Sequence, residues 1–180
     1  MRYIVRAVLE REHFVAELQR RLPCLEVCLD IKRNAMDTFL RALDMAGDDA
    51  CVHMEDDTVL TSGFQQKAEA VIAQHPDRVI QFFSMRGADL TVGSRWDRNF
   101  LMGQCFHLPA GASASVRRYH DRWPGKALHP TGLDTMVGDW LRERREDYWL
   151  HVPSLVDHRQ VRSAIDPRRS TKRQSKTFAA

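Results

Sequence analysis

The sequence predicts one α/β domain, with a mostly parallel sheet flanked by helices. Three observations predict it. Apolar residues alternate between short runs of strand type and stripes at helical spacing. The 180 residues fit one domain of the usual ~100–200 residues. Hydrophobic residues make up 43% and charged residues 28%, enough apolar side chain for a core and against overall disorder.

The elements follow in order. Tyr3 to Leu9 reads as a first strand. Phe14, Val15, Leu18 and Leu22 share one helical face. Leu25 to Leu29 is a second strand, ending at Asp30. Met36, Phe39, Leu40 and Leu43 form a second helical face, which Gly47 stops at a C-cap position. Ala50 to Met54 is a third strand. Ser62 is placed to cap a third helix, with Phe64, Ala68, Val71 and Ile72 inward and Pro76 beyond its end. Val79 to Phe83 is a fourth strand. Strands joined by helices of this length imply right-handed crossovers and parallel pairing.

The second half is less regular. Arg86 to Asn99 reads as a polar loop and Phe100 to Leu108 as a strand. Ala112 to Trp123 is a helix with Val116, Tyr119 and Trp123 as its stripe. Leu133, Met136, Val137, Trp140 and Leu141 mark another, begun near Thr131-Gly132, with Asp134 in its first turn. Tyr148 to Val152 is a last strand, leading into Pro153-Ser154-Leu155-Val156-Asp157-His158. No internal repeat is visible.

Composition excludes several classes. No apolar run approaches the ~18–20 residues of a membrane span. The apolar stretch at the N-terminus is too short for a signal peptide, which predicts a cytoplasmic protein. Cys51 and Cys105 fall in expected core strands, and Cys24 and Cys28 have no second pair at zinc spacing, so reduced thiols are expected. Basic residues collect after residue 158. Arg159, Arg162, Arg168, Arg169, Lys172, Arg173 and Lys176 face only Asp166, against a net charge of +3 for the whole chain. Such a tail is either a phosphate- or nucleic-acid-binding segment or a solvated terminus.

The most informative stretch is Ala50-Cys51-Val52-His53-Met54-Glu55-Asp56-Asp57. An apolar run ends in three adjacent carboxylates, whose charges disfavour one another. A solvated acidic turn is one reading. A divalent cation is the other, since hard cations take carboxylate oxygens. Ligands of such sheets bind beyond the carboxyl ends of the strands, where Asp30 also falls. In an extended segment Glu55 and Asp57 would share one side, with Asp56 turned to the other. His53, inside the strand, reads as a satisfied core group.

These residues resemble a known pattern. Met54-Glu55-Asp56-Asp57-Thr58-Val59 looks like the "EDD" form of the DxD motif in GT-A fold glycosyltransferases, a Rossmann-related group. Pro153 to His158 looks like the "PSLVQH" ending of glycosyltransferase family 25, the lipooligosaccharide galactosyltransferase-like group with small bacterial and phage relatives. The resemblance covers roughly residues 1–158. It implies a nucleotide-binding half over about 1–85, an acceptor half over about 86–158 and a basic tail over 159–180. It implies a metal-dependent glycosyltransferase moving a sugar from a nucleotide sugar, UDP-linked by the family's habit, onto an acceptor hydroxyl. It places the protein in the cytoplasm of a bacterium or of a phage-infected host cell.

The resemblance also assigns residues. Asp57, Glu55 and His158 are expected on Mn²⁺ or Mg²⁺, which stabilises the diphosphate leaving group as a Lewis acid. For His158 the alternative is an exposed loop histidine. Asp30, Asp56, Arg6 and Arg11 are expected at the donor; Asp30 could equally be a turn acid, and each arginine could be solvated. Asp134 is expected as catalytic base, with Asp139 as fallback; otherwise it is a favourable first-turn acid. The acceptor is a saccharide or a hydroxylated base in DNA. For the latter, Trp96 and Trp123 offer stacking surfaces, and Arg168, Arg169, Lys172 and Arg173 offer phosphate contacts. Two other classes compete. A metal-dependent nuclease or phosphotransferase would need a lysine or a second carboxylate set at the metal, and none is apparent. A non-catalytic nucleic-acid-binding protein using the tail leaves the acids unexplained.

Overall fold

A computed structural model describes residues 1–164, 171 and 173–180. Arg168, Arg169 and Lys172 lie outside the described residues. The first half builds the alternation that the apolar pattern predicts. Strand β1 (Arg2–Ala7) leads through a 3-10 turn (Leu9–Arg11) into helix α1 (Glu12–Arg21). Then come β2 (Leu25–Leu29), α2 (Ala35–Ala46) and β3 (Cys51–Glu55). The Asn34 side chain caps α2 by accepting the Asp37 N–H, and Gly47 ends the helix at φ 58°, which suits a residue without Cβ.

A turn at Asp56-Asp57 follows, then β4 (Thr58–Leu60) and α3 (Phe64–Gln74). Ser62 does not cap α3. Gly63, at φ 66°, holds the N-cap position, leaving Ser62 exposed outside the helix. The chain continues through β5 (Ile80–Gln81), α4 (Asp89–Val92), β6 (Arg95–Asp97) and β7 (Cys105–Leu108). It ends with α5 (Ala112–Arg122), α6 (Leu133–Arg144), β8 (Tyr148–Leu150) and β9 (Val156–His158). The polar stretch read as a loop over Arg86–Asn99 therefore holds a short helix and an edge strand. The strands expected over Val79–Phe83 and Phe100–Leu108 are shorter than their apolar runs, because only parts of them find ladder partners.

The main sheet has seven strands in the order β2-β1-β3-β7-β5-β8-β6. Only β7 and β6 run against the other five, so the sheet is mostly parallel. Strand β5 does not join β3 as a fourth consecutive parallel strand; β7 is wedged antiparallel between them. Strands β4 and β9 form a separate antiparallel pair, with Thr58 opposite His158.

Side chains alternate across the sheet and split the core into two faces. Tyr3, Val5, Val52 and Met54 pack with Val15 and Leu18 of α1 and with Phe64 and Ala68 of α3. Phe106 and Leu108 pack with Phe39 of α2, Val116 of α5 and Val137 of α6. All four cysteines are free thiols. Among the described residues no helix is long and apolar enough to cross a membrane.

Two core histidines make stability pH-dependent. His53 is fully buried against Phe106; its Nε2 lies 3.5 Å from Ser113 Oγ, but its Nδ1 has no partner among the described residues, so it is only partly satisfied. Burial holds it well below 6.5, and burial holds His107 down to about 4 against the pull of its Arg78 carbonyl contact. Between 6.5 and those lowered values the unfolded chain takes up protons that the folded chain refuses. These two groups therefore contribute a loss of stability as pH falls below 6.5, about 2 kcal/mol from pH 6.5 to 5.5 together, which a carboxyl raised by burial, Glu55, offsets in part. Urea denaturation across that interval measures the loss, and His107→Gln is expected to remove about half of it. A pH dependence unchanged in His107→Gln contradicts this account.

Candidate functional site

Parallel pairing brings the carboxyl ends of β1, β2 and β3 to one edge. A cavity of about 350 Å³ opens there. Its walls include Arg6, Val8 and Arg11 from β1 and the turn after it, Asp30 from the end of β2, and Glu55, Asp56 and Asp57 from the end of β3. Gly103 and Gln104, just before β7, close one side, and Asp134 at the start of α6 faces across. Ser163, Ala164 and Arg173 complete the wall. Residues 143 positions apart in sequence, Asp30 and Arg173, thus share one space.

The register sets Arg6 beside Glu55 on adjacent strands. Arg6 is buried at 7% exposure, not solvated. Its Nη2 donates to Gly103 O at 2.7 Å, it lies 3.6 Å from Glu55 Oε1, and its guanidinium sits over the Phe39 ring. Burial lowers its pKa, with the Glu55 charge opposing. Arg11 is equally unlike a solvated arginine. Its Nη1 reaches Asp56 Oδ1 at 2.7 Å and Asp57 Oδ2 at 2.8 Å. Burial pulls Arg11 down, but the two aspartates more than reverse it and its pKa is raised.

The three acids have different jobs. Because Asp56 and Asp57 form a turn, the strand alternation expected of them does not hold. Asp56 points to the backbone: Val8 N–H donates to its Oδ2 at 2.9 Å, fixing the chain after β1 and, with Arg11, the top of the site. Burial raises its pKa against those bonds. Asp57 accepts from Gln104 Nε2 at 2.7 Å on one oxygen and from Arg11 on the other. Glu55 keeps part of its carboxyl exposed to the cavity. Burial, then the Asp57 charge, push it up to about 7, with Arg6 opposing.

The β4–β9 ladder brings His158 to the acids. It is buried, not an exposed loop histidine. Its Nδ1 contacts the Arg159 carbonyl, which can only accept, so Nδ1 carries the proton and Nε2 presents a lone pair. Burial holds the ring below 6.5, so it is neutral at pH 7. That lone pair faces Asp57 Oδ2 at 3.4 Å and has no hydrogen-bond partner among the described residues. Two acceptors facing each other favour a cation between them. The donor chemistry, two carboxylates and an imidazole oriented by a carbonyl, fits a hard or borderline divalent ion. The described residues hold no ready-made cluster of three such groups at metal-binding distance. Arg11 and Gln104 occupy the Asp57 oxygens, so a metal would have to compete with Arg11.

The remaining expected residues divide. Asp30 is a turn acid on one side, where Oδ1 accepts Asn34 N–H at 3.0 Å; its other oxygen is buried without a partner among the described residues. Asp134 accepts Met102 N–H and Thr135 N–H at the helix start while lining the cavity. Asp139 bonds Trp123 Nε1 and Arg142 and does not line the cavity. Trp96 lies on β6, the edge strand opposite the site, packed against His75 and Trp149. Trp123 is buried. Neither is placed to stack on a ligand in this cavity. The described part of the basic segment is docked on the body, with Arg173 in the cavity wall and Arg159 paired to Glu17.

Gln104 and Gly103 are the cavity-lining positions that sequence reading misses. A Cβ on Gly103 would come within 2.2 Å of Leu133 Cδ1, so the chain passes close to α6 there. A neutral amide carries no charge pattern to flag it. Arg6 did carry a signal: it is the one charge inside the otherwise apolar run Tyr3–Leu9.

No protein-family model matches the chain, and no curated protein matches it. Solved structures do. A protein of Bacillus anthracis assigned as a glucose-1-phosphate thymidylyltransferase, solved in complex with a sucrose, aligns at a TM-score of 0.51 and 10% identity. The alignment covers 86% of this chain and 69% of that one. A197 from STIV aligns over 100% and 97% of the two chains at 15% identity, with a TM-score of 0.47. The first likeness shows the fold, an α/β sheet shared with a protein assigned as a nucleotidyltransferase.

Arg11 is expected to be the electrostatic keystone. Removing it leaves Asp56 and Asp57 buried without their cation, so Arg11→Met is expected to cost on the order of 3 kcal/mol at pH 7. Arg11→Lys, which keeps the charge, is expected to recover part of that. Denaturant unfolding measures both, and an unchanged midpoint in Arg11→Met sinks the assignment.

Proposed function

We propose that the protein is a nucleotide-sugar-dependent glycosyltransferase, with a UDP-sugar as donor and a saccharide hydroxyl as acceptor. The observation that carries this reading is the convergence of Asp30, Glu55, Asp57, Asp134, Arg6 and Arg11 on one cavity at the carboxyl edge of the sheet. A fold shared with a protein assigned as a glucose-1-phosphate thymidylyltransferase is compatible with a nucleotide and a sugar as substrates.

Each residue then has a task. The half-free carboxylate of Asp30 suits donation from a ribose hydroxyl or a base N–H. Glu55, Asp57 and His158 would hold a divalent cation, Mn²⁺ or Mg²⁺. Bound there, the ion would supply Lewis-acid stabilisation of the diphosphate. Arg11, released from Asp57, is within the same wall to meet a phosphate oxygen. Asp56 holds Val8 and Arg11 in place and does not itself meet the ligand. Asp134 stands across the cavity as the general base that takes the acceptor proton. Its second-oxygen bond to Met102 N–H fixes its orientation.

A saccharide is favoured over a DNA base because the aromatic residues expected to stack are elsewhere or buried. The phosphotransferase alternative needs a lysine or a second carboxylate set at the metal: no lysine lines the cavity among the described residues, and the further acids there, Asp30 and Asp134, are engaged by backbone N–H groups.

A thermal-shift screen of UDP-, GDP- and CMP-sugars with Mn²⁺ tests the reading. UDP-sugars are expected to raise Tm with Mn²⁺ present, and no shift with any nucleotide overturns it. Asp57→Ala is expected to abolish the Mn²⁺-dependent part of the shift. Asp134→Asn is expected to leave UDP binding intact and lower turnover by about 10²–10⁴-fold. Full turnover in that variant would place the base elsewhere.

A further inference from the structure

Strand β9 faces two ways. His158 points to Asp57, while its neighbour Asp157 points away, as alternation requires. Asp157 Oδ1 accepts the Ser175 N–H at 2.8 Å. Ser175 Oγ donates to Ser154 Oγ at 2.9 Å, and Ser154 N–H donates to Thr177 Oγ1 at 3.1 Å. Further on, Thr61 Oγ1 donates to Ala179 O at 2.8 Å. These bonds lay residues 173–180 along the β4–β9 pair. Two residues before Ser175, Arg173 enters the cavity wall with Glu55 and Asp134.

The cavity needs positive charge if it is to take an anion. Five acids line it, and Arg6 and Arg11 on their own leave an excess of negative charge there. We propose that residues 173–180 are a docked clasp, positioned by Asp157 and Ser154, that holds the Arg173 guanidinium at the cavity to pair with the diphosphate of the ligand. The ligand class rests on the donor reading above. Docking the segment beforehand removes most of the entropy cost that an arginine on a free tail would meet on binding. Coupling is reciprocal, so a diphosphate that uses Arg173 must also tighten the clasp.

The test uses the full chain, with Mn²⁺, and two probes: UDP and inorganic pyrophosphate. Isothermal titration is expected to show Arg173→Gln weakening both by about ten- to hundredfold, the range of a charge-assisted hydrogen bond. Arg173→Lys is expected to recover part of this. Asp157→Ala is expected to weaken binding in the same direction, with Asp157→Asn, which keeps an acceptor oxygen, closer to the parent. Hydrogen exchange adds a readout independent of binding: backbone amides of 173–180 are expected to be protected, less so in Asp157→Ala, and more so with pyrophosphate. Parent binding of pyrophosphate but not UDP removes the nucleotide reading and leaves the clasp standing. Parent binding of UDP with Arg173→Gln unaffected removes the clasp and leaves the nucleotide reading standing. Binding of neither probe, or unprotected amides over 173–180, overturns the clasp.

Discussion

Three carboxylates in a row at the end of β3 can share one cleft only if positive charge meets them. Arg11 is the group that meets them, clamped between Asp56 and Asp57, and most of the site is arranged around that clamp. Asp56 ties the chain after β1 to the end of β3. Gln104 reaches in from the start of β7 to satisfy the other oxygen of Asp57. His158 is delivered from the far end of the domain by the β4–β9 ladder. Glu55 is the most exposed of the three, and burial with the Asp57 charge raises its pKa. The site is thus poised: its buried acids are neutralised by an internal arginine, and a lone pair on His158 waits beside Asp57.

The sheet topology explains why these groups meet. Parallel strands β1, β2 and β3 put Arg6 and Glu55 at one level and Asp30, just past the end of β2, further along the same edge. The antiparallel β7 beside β3 starts where β3 ends, so the chain leading into β7 must pass over the same edge. That passage carries Gly103 and Gln104, and its close approach to Leu133 sets the start of α6, and with it Asp134, opposite the acids. A purely parallel extension would have sent β5 to that place and left Asp57 without its amide partner.

Much of this was legible in the sequence, for identifiable reasons. Apolar periodicity placed β1 to β3 and α1 to α3, because each buries one continuous stripe. The acids at strand ends were legible because charge seldom follows an apolar run without cause. The insertion of β7 was not, since antiparallel pairing across 50 residues leaves no local pattern. Trp96 was misplaced for a related reason: its position depends on β6 pairing with β8 at the opposite edge, and nothing near residue 96 encodes that. Arg6 and Arg11 were readable as solvated only while their partners were unknown. Once Asp56, Asp57 and Glu55 are adjacent, burial of Arg6 and half-burial of Arg11 follow.

The central claim is that this cluster of acids and arginines receives a nucleoside diphosphate together with a divalent cation. Calorimetric titration of the purified chain with UDP, with Mn²⁺ and again with EDTA, tests it most directly. The account predicts one site per chain that binds UDP with Mn²⁺ and weakens markedly in EDTA. Absence of binding in both conditions, or equal affinity in both, would contradict it.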